Sequence, residues 1–196
     1  MKKHIILAGL MIAAIGCLAV ASTVIAQQNQ PRTPESLVEM VDKAVKLTAE
    51  QKTKILEIYT DANSKDQQSG GKTRVLFSRE TKAAVEKILT PDQVKKLLAY
   101  QLQLMVDATI AFIDKSVTLT GDQKEKITPI ITKELKTFQD FVEEVLASGE
   151  KLDRQAMIDK FKDKRMELRT VTNKALESIL TKEQLEKYKT IESIIQ

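Results

Sequence analysis

The side chains best suited to nucleophilic or metal chemistry are scarce in this chain, whose 196 residues include one cysteine, Cys17, and one histidine, His4. Ser69-Gly70-Gly71-Lys72-Thr73 has the look of the end of a phosphate-binding loop, in which glycine amides and a lysine cradle phosphate oxygens. The full G-x-x-x-x-G-K-[ST] pattern needs glycine at position 66, which is Asp66, and the segment follows a helical pattern rather than a strand, so it reads as a turn leading into a helix. Asp140, Glu143 and Glu144 form the densest acidic cluster. Neighbouring carboxylates can act as acid and base when their surroundings separate their pKa values. Here they alternate at helical spacing with Phe138, Phe141, Val142 and Val145, which makes them a solvated helix face. The run from Lys160 to Arg165, with Asp159 and Asp163 mixed in, is a charged face of the same kind, and no nucleic-acid partner is expected. Met40, Met105, Met157 and Met166 lie in helical stretches and read as core fillers rather than metal ligands. No enzyme activity, cofactor or metal site is expected.

The recurrent pattern is a hydrogen-bonding device. Leu47-Thr48-Ala49-Glu50-Gln51, Leu89-Thr90-Pro91-Asp92-Gln93, Leu119-Thr120-Gly121-Asp122-Gln123 and Leu180-Thr181-Lys182-Glu183-Gln184 each read as a helix start. Threonine as N-cap and glutamine three residues on form a capping box, each side chain satisfying a backbone N–H that the first turn leaves without a partner. Glu50, Asp92, Asp122 and Glu183 take the second helical position, where the macrodipole favours negative charge. The leading leucine can staple to the fourth helical position at Val94 and Leu185, but not at Lys52 or Lys124, so Leu47 and Leu119 must pack elsewhere. A three-residue match of this kind is expected about once per 8000 positions at ordinary residue frequencies, so four in one chain point to duplication or family membership.

The pattern resembles the LTxxQ motif of the Spy/CpxP family of periplasmic helical proteins, which includes a chaperone and a stress-response regulator. The resemblance runs through nearly all of residues 27–196. It implies a shallow helical cradle, usually dimeric, whose concave side mixes basic and apolar groups and holds unfolded clients without ATP. It assigns the leucine, threonine and glutamine of each box a structural role. The partners it implies are unfolded or partly folded client proteins, a second copy of the chain or, in the regulatory alternative, the periplasmic domain of a sensor kinase. A passive structural protein of the envelope is the plainest alternative. Some relatives are associated with zinc or other metals through histidine-rich sites, whose ligands this chain lacks. Typical members carry two boxes; this chain carries four.

The N-terminus reads as a secretory signal peptide. Met1-Lys2-Lys3-His4 is basic, Ile5 to Ala19 is an uncharged apolar run, and small residues precede the polar Gln27-Gln28-Asn29-Gln30. Cleavage after Ala26 fits the polar switch best, with Ala21 a second acceptable site. A lipoprotein acylated at Cys17 is the rival, but the apolar run continues past Cys17. Cleavage after Ala26 leaves 29 basic and 27 acidic residues with no cysteine or histidine, so apolar packing alone must hold the mature chain.

The expected fold is all-α: two tandem repeats of long antiparallel helical hairpins, each bounded by LTxxQ boxes, after a cleaved signal peptide. Residues 1–26 are the signal, 27–32 a flexible lead, 33–117 the first repeat and 118–196 the second. Thr33-Pro34 starts a short helix bearing Leu37, Val41 and Val45 on one face. The first box opens a helix expected to fade into a loop over Asn63 to Gly71. A third helix is expected from about Thr73 to Ile88, and the second box opens one of roughly 25 residues, or ~37 Å. The second half repeats the first at an offset of 72 for Leu47 to Thr60 and of 91 for Arg74 to Lys96, so 19 extra residues lengthen the second hairpin around Ser148-Gly149. Pro129 should kink the helix opened by Thr120, or Thr128 should recap a new one there. The return arm is expected from Leu152 to Ile179, and the last box opens a short terminal helix with Leu185, Tyr188 and Ile191.

Overall fold

The computed structural model describes residues 33–68, 78–150 and 153–195; the expected signal peptide, the flexible lead and the Ser69–Thr73 turn lie outside these. Every regular element among the described residues is a helix: α1 (Pro34–Val45), α2 (Ala49–Gln68), α3 (Arg79–Glu86), α4 (Pro91–Val117), α5 (Gly121–Ala147), α6 (Arg154–Leu176) and α7 (Lys182–Ile195).

Local chemistry accounts for most boundaries. Thr33 accepts the Ser36 N–H and Pro34 opens α1, which ends at Lys46 in the left-handed region (φ 57°). The α4–α5 junction turns the same way at Thr118 (φ 55°). Neither residue is glycine, so each turn costs of order 1–3 kcal/mol that its surroundings must offset. Asp42 Oδ1 accepts the Leu47 N–H at 2.8 Å, and Asp114 Oδ1 accepts that of Leu119 at 2.8 Å.

Four boundaries, and the course of the chain at Pro129, differ from or resolve the sequence expectation. α2 continues through Asn63 to Gln68, where a loop was expected. Ala62 is buried against Leu37, Lys65 pairs with Asp61 at 2.6 Å, and Ser64 Oγ donates to the Thr60 carbonyl, so packing and local bonds outweigh the polar composition. α3 begins at Arg79 rather than near Thr73, because Ser78 is extended (φ −70°, ψ 161°) and accepts the Thr81 N–H as its N-cap. α5 is one helix from Gly121 to Ala147 with Pro129 inside it, so of the two expected outcomes the new start does not occur. Thr128 does not recap it; its hydroxyl donates to the Lys124 carbonyl at 2.7 Å. The return arm, α6, is shorter than expected at both ends, starting behind an Asp153 cap and giving way to turns after Leu176.

The chain forms two compact units that part between Gln101 and Leu102, inside α4. The reason is packing. Ile113 and Val117, at the end of α4, share a core with Leu119 and Ile127 of the following segment. In the first unit Val41, Val45, Leu47 and Ile55 form a core with Val85, Leu89 and Leu97. The second core has Ile113, Val117, Leu119 and Ile127 exactly 72 positions later, and Leu176, Leu180 and Tyr188 exactly 91 positions later. Thus the end of α4 stands to α5 as α1 stands to α2. α5 and α6 are antiparallel: Ile127 shares a core with Leu176, Glu134 faces Arg169, and Phe138 meets Phe161. They have 27 and 23 residues against 20 and 8 in α2 and α3, and near their far end they enclose a small core of Phe138, Val145 and Phe161.

Candidate functional site

At all four boxes the threonine hydroxyl accepts the glutamine N–H and the glutamine Oε1 accepts the threonine N–H. The distances are 3.2 and 3.1 Å for Thr48–Gln51, 3.2 and 3.0 Å for Thr90–Gln93, 3.2 and 3.0 Å for Thr120–Gln123, and 3.3 and 3.0 Å for Thr181–Gln184. Leu47, Leu89, Leu119 and Leu180 are buried, each in the core of its own unit. Val94 and Leu185 pack on the same cores, whereas Leu47 and Leu119, facing Lys52 and Lys124 in sequence, pack with Ile55 and Ile127 one turn further on.

The boxes also meet in pairs. Gln51 Nε2 donates to Gln93 Oε1 at 2.8 Å and Gln93 Nε2 donates back to Gln51 Oε1 at 3.1 Å. In the second unit Gln123 and Gln184 exchange the same bonds at 2.7 and 3.1 Å. In three of the four glutamines the second amide hydrogen reaches backbone: Gln51 donates to the Ile88 carbonyl, Gln123 to that of Ile179, and Gln184 to that of Thr118 at 2.9 Å. Each side chain therefore needs both an amide donor and a carbonyl acceptor. Glutamate would cap equally well at this position, but two carboxylates cannot exchange such bonds. The use of glutamine in all four boxes follows from this pairing.

The sequence reading missed the aspartate before the first box of each unit. Asp42 and Asp114 each stand five residues ahead of the box leucine, with Lys52 and Lys124 just after its glutamine. Lys52 reaches Asp42 at 2.7 Å and Lys124 reaches Asp114 at 2.7 Å. The lysine ammonium, and next the leucine N–H, hold both carboxyls below the usual range. The signal was present as the repeated spacing Asp-x-x-x-x-Leu-Thr-x-x-Gln-Lys. A further regularity is that the acid in each box pairs with a lysine four residues on: Glu50–Lys54, Asp92–Lys96, Asp122–Lys126 and Glu183–Lys187, at 2.6–2.8 Å. These bonds lower the carboxyl pKa of Glu50, Asp92 and Glu183. Exposed pairs of this geometry support a helix weakly.

The acidic cluster is spread along α5 as surface charge. Asp140 pairs with Lys136 at 2.9 Å, the Gln139 amide donates to Glu143, and Glu144 is exposed. Among the described residues no group of three or more histidine, cysteine, aspartate or glutamate side chains is placed to hold a metal ion. In the Lys160–Arg165 run, Lys160 pairs with Glu150, Lys164 lies 5.7 Å from the Phe141 ring centre and Arg165 lies 4.9 Å from that of Phe138. Met40 packs beside Leu37 and Met157 on the Phe161 core, but Met166 is 54% exposed and is no core filler. A buried polar group missed from sequence lies at the base of the α5–α6 hairpin. The Glu134 side chain is 9% exposed, its Oε1 lies 3.5 Å from Arg169 Nε, and Arg169 donates to the Tyr188 hydroxyl at 3.1 Å. The corresponding first-unit positions, Ala62, Ser78 and Leu97, cannot form it.

No protein-family model, curated protein or solved structure matches the chain.

Proposed function

We propose that this chain is a periplasmic, ATP-independent chaperone, a holdase that binds unfolded or partly folded proteins on an amphipathic helical surface and is built from two tandem copies of one helical unit. The observation that carries the reading is the surface of α4. Its most apolar stretch has a mean hydropathy of 1.2, yet only 22% of that stretch is buried. Leu104 is 39% exposed, and Leu98, Leu102, Met105 and Phe112 are half-buried. By length and composition α4 could cross a membrane, but Leu97 near one end and Ile113 and Val117 near the other are fixed in compact cores. Each end of the helix thus belongs to a folded core, while the helix retains apolar surface of the kind that marks interaction sites.

Lysines bracket this surface at Lys95, Lys96 and Lys115, suiting it to steer charged chains as well as to contact apolar ones. The matched core spacings and the pairing of boxes within each unit support the tandem reading. The resemblance to Spy/CpxP proteins supports export and client binding. The deciding experiment is light scattering of chemically denatured clients mixed with the mature chain at near-equimolar amounts without nucleotide. Suppressed aggregation of several unrelated clients is expected. Undiminished aggregation, with tight binding to one sensor-kinase periplasmic domain, would move the function to envelope-stress regulation. Mass spectrometry of the exported protein should show an N-terminus at Gln27; a full-length or Cys17-acylated product would overturn the soluble periplasmic assignment.

A further inference from the structure

The second unit buries charge at a place where the first buries none. Glu134 of α5, Arg169 of α6 and Tyr188 of α7 meet at positions that hold Ala62, Ser78 and Leu97 in the first unit, where Ala62 and Leu97 are buried apolar side chains. The bonds that offset this burial are incomplete. Glu134 Oε1 stands 3.5 Å from Arg169 Nε, against roughly 2.8 Å for a well-made charge-assisted bond. Its Oε2 is buried and accepts no hydrogen bond among the described residues. An ion pair taken out of water recovers its desolvation cost only when its geometry is good and its remaining lone pairs are satisfied. α7 is held at its first turn, where Gln184 bonds Gln123 and the Thr118 carbonyl. Beyond that turn it rests on Tyr188, buried in a core with Ile113, Ile127 and Leu176, and on the half-buried Ile191.

We propose that α7 is a gate on the second core: it swings out about its first turn, lets water reach Glu134 and Arg169, and uncovers Ile113, Ile127 and Leu176 as apolar surface for clients in addition to that of α4. The inference rests on the holdase reading and supplies its regulation. Once Tyr188 has left, water completes the bonds of the Glu134 carboxylate, so the charged pair favours the open form. The first unit has no charge to hydrate at these positions, and the same movement there gains nothing. Conditions that loosen packing raise the population of such local openings. They also unfold clients, so the added surface is exposed when clients need it.

The test is hydrogen exchange of the full mature chain, read by mass spectrometry, in the parent and in a triple variant, Glu134→Leu with Arg169→Met and Tyr188→Phe, which puts apolar side chains of similar volume in place of the polar group. The amides of α7 beyond its first turn should exchange about tenfold more slowly in the triple variant, the scale of stabilisation when packed apolar groups replace a buried ion pair. Those of α1, α2 and α3 should not change. Tyr188→Phe alone keeps the charges and removes one acceptor of Arg169, so it should speed exchange in α7 severalfold, and it carries the test if the triple variant does not fold. Exchange in α7 that is not slowed in a folded triple variant, or that Tyr188→Phe leaves unaltered, would overturn the gate. In the aggregation assay the triple variant should protect clients less well than the parent. Equal protection despite slowed exchange would exclude the second core as client surface and leave the holdase reading standing. A parent that protects no client would bring down the holdase reading, and the gate's role in client binding with it, whatever the exchange in α7.

Discussion

A glutamine at the third helical position does two jobs in this protein, and substitutions can separate them. Thr→Ala at Thr48, Thr90, Thr120 or Thr181 removes one capping bond and should cost roughly 0.5–2 kcal/mol. Gln51→Glu and Gln123→Glu keep the cap but lose the amide donors to Ile88 and Ile179 and set a carboxylate against the partner glutamine's Oε1. An unsatisfied or opposed buried polar group costs more than a missing exposed bond, so each should lose about 2–3 kcal/mol in urea unfolding, exceeding the Thr→Ala loss at the same box. A smaller loss for Gln→Glu would show that the pairing adds nothing. Asp42 and Asp114 predict a pH dependence. Their folded pKa values are depressed, so their contribution is complete above the unfolded aspartate pKa of about 3.9 and disappears as pH falls through the folded value. Asp42→Asn with Asp114→Asn should therefore reduce stability at neutral pH and flatten its decline on acidification, read from urea midpoints at pH 7 and below pH 4.

Among the elements, α5 and α6 differ most from their first-unit counterparts, and the Glu134–Arg169–Tyr188 group joins them to α7. Arg169→Ala would strand a carboxylate that is 9% exposed, with an expected cost near the lower end of the roughly 3–5 kcal/mol typical of a broken buried pair. Glu134→Gln with Arg169→Met removes both charges and should recover most of that loss in the same denaturation measurement. A full loss in the double variant would mean that the shape of the pair, rather than its charge balance, is what matters. Pro129 was legible as an anomaly in the sequence, but whether the chain would start a new helix there was not, because that depends on how much packing holds the turns on either side. Here Ile127 and Ile131, two residues before and after it, are fully buried in the second core. The end of α2 was misread for the converse reason, since Asn63 to Gln68 look like a loop until Ala62 is seen against Leu37.

At the scale of the molecule, the cores on either side of Gln101 predict separable stability. Gln51→Glu should lower hydrogen-exchange protection in α1, α2 and α3 while leaving α5 and α6 protected, and Gln123→Glu should do the reverse. Uniform loss of protection along the chain from either substitution would show that the units unfold as one.

Much of the helical framework was contained in the sequence because capping is a short-range matter. Thr48 and Gln51 satisfy each other's amides across three residues, so four helix starts could be read without knowing what lies beyond them. The apolar spacing also identified most of the core, since burial follows helical periodicity. Which box meets which could not be read. Gln51 and Gln93 are 42 residues apart and Gln123 and Gln184 are 61 apart, and they meet only because Leu47 and Leu89, and likewise Leu119 and Leu180, are buried in shared cores. The division of α4 between two units and the exposure of Met166 were also settled by tertiary packing. A helical repeat states which residues share a face, and the free energy of burying that face against distant segments decides what it faces.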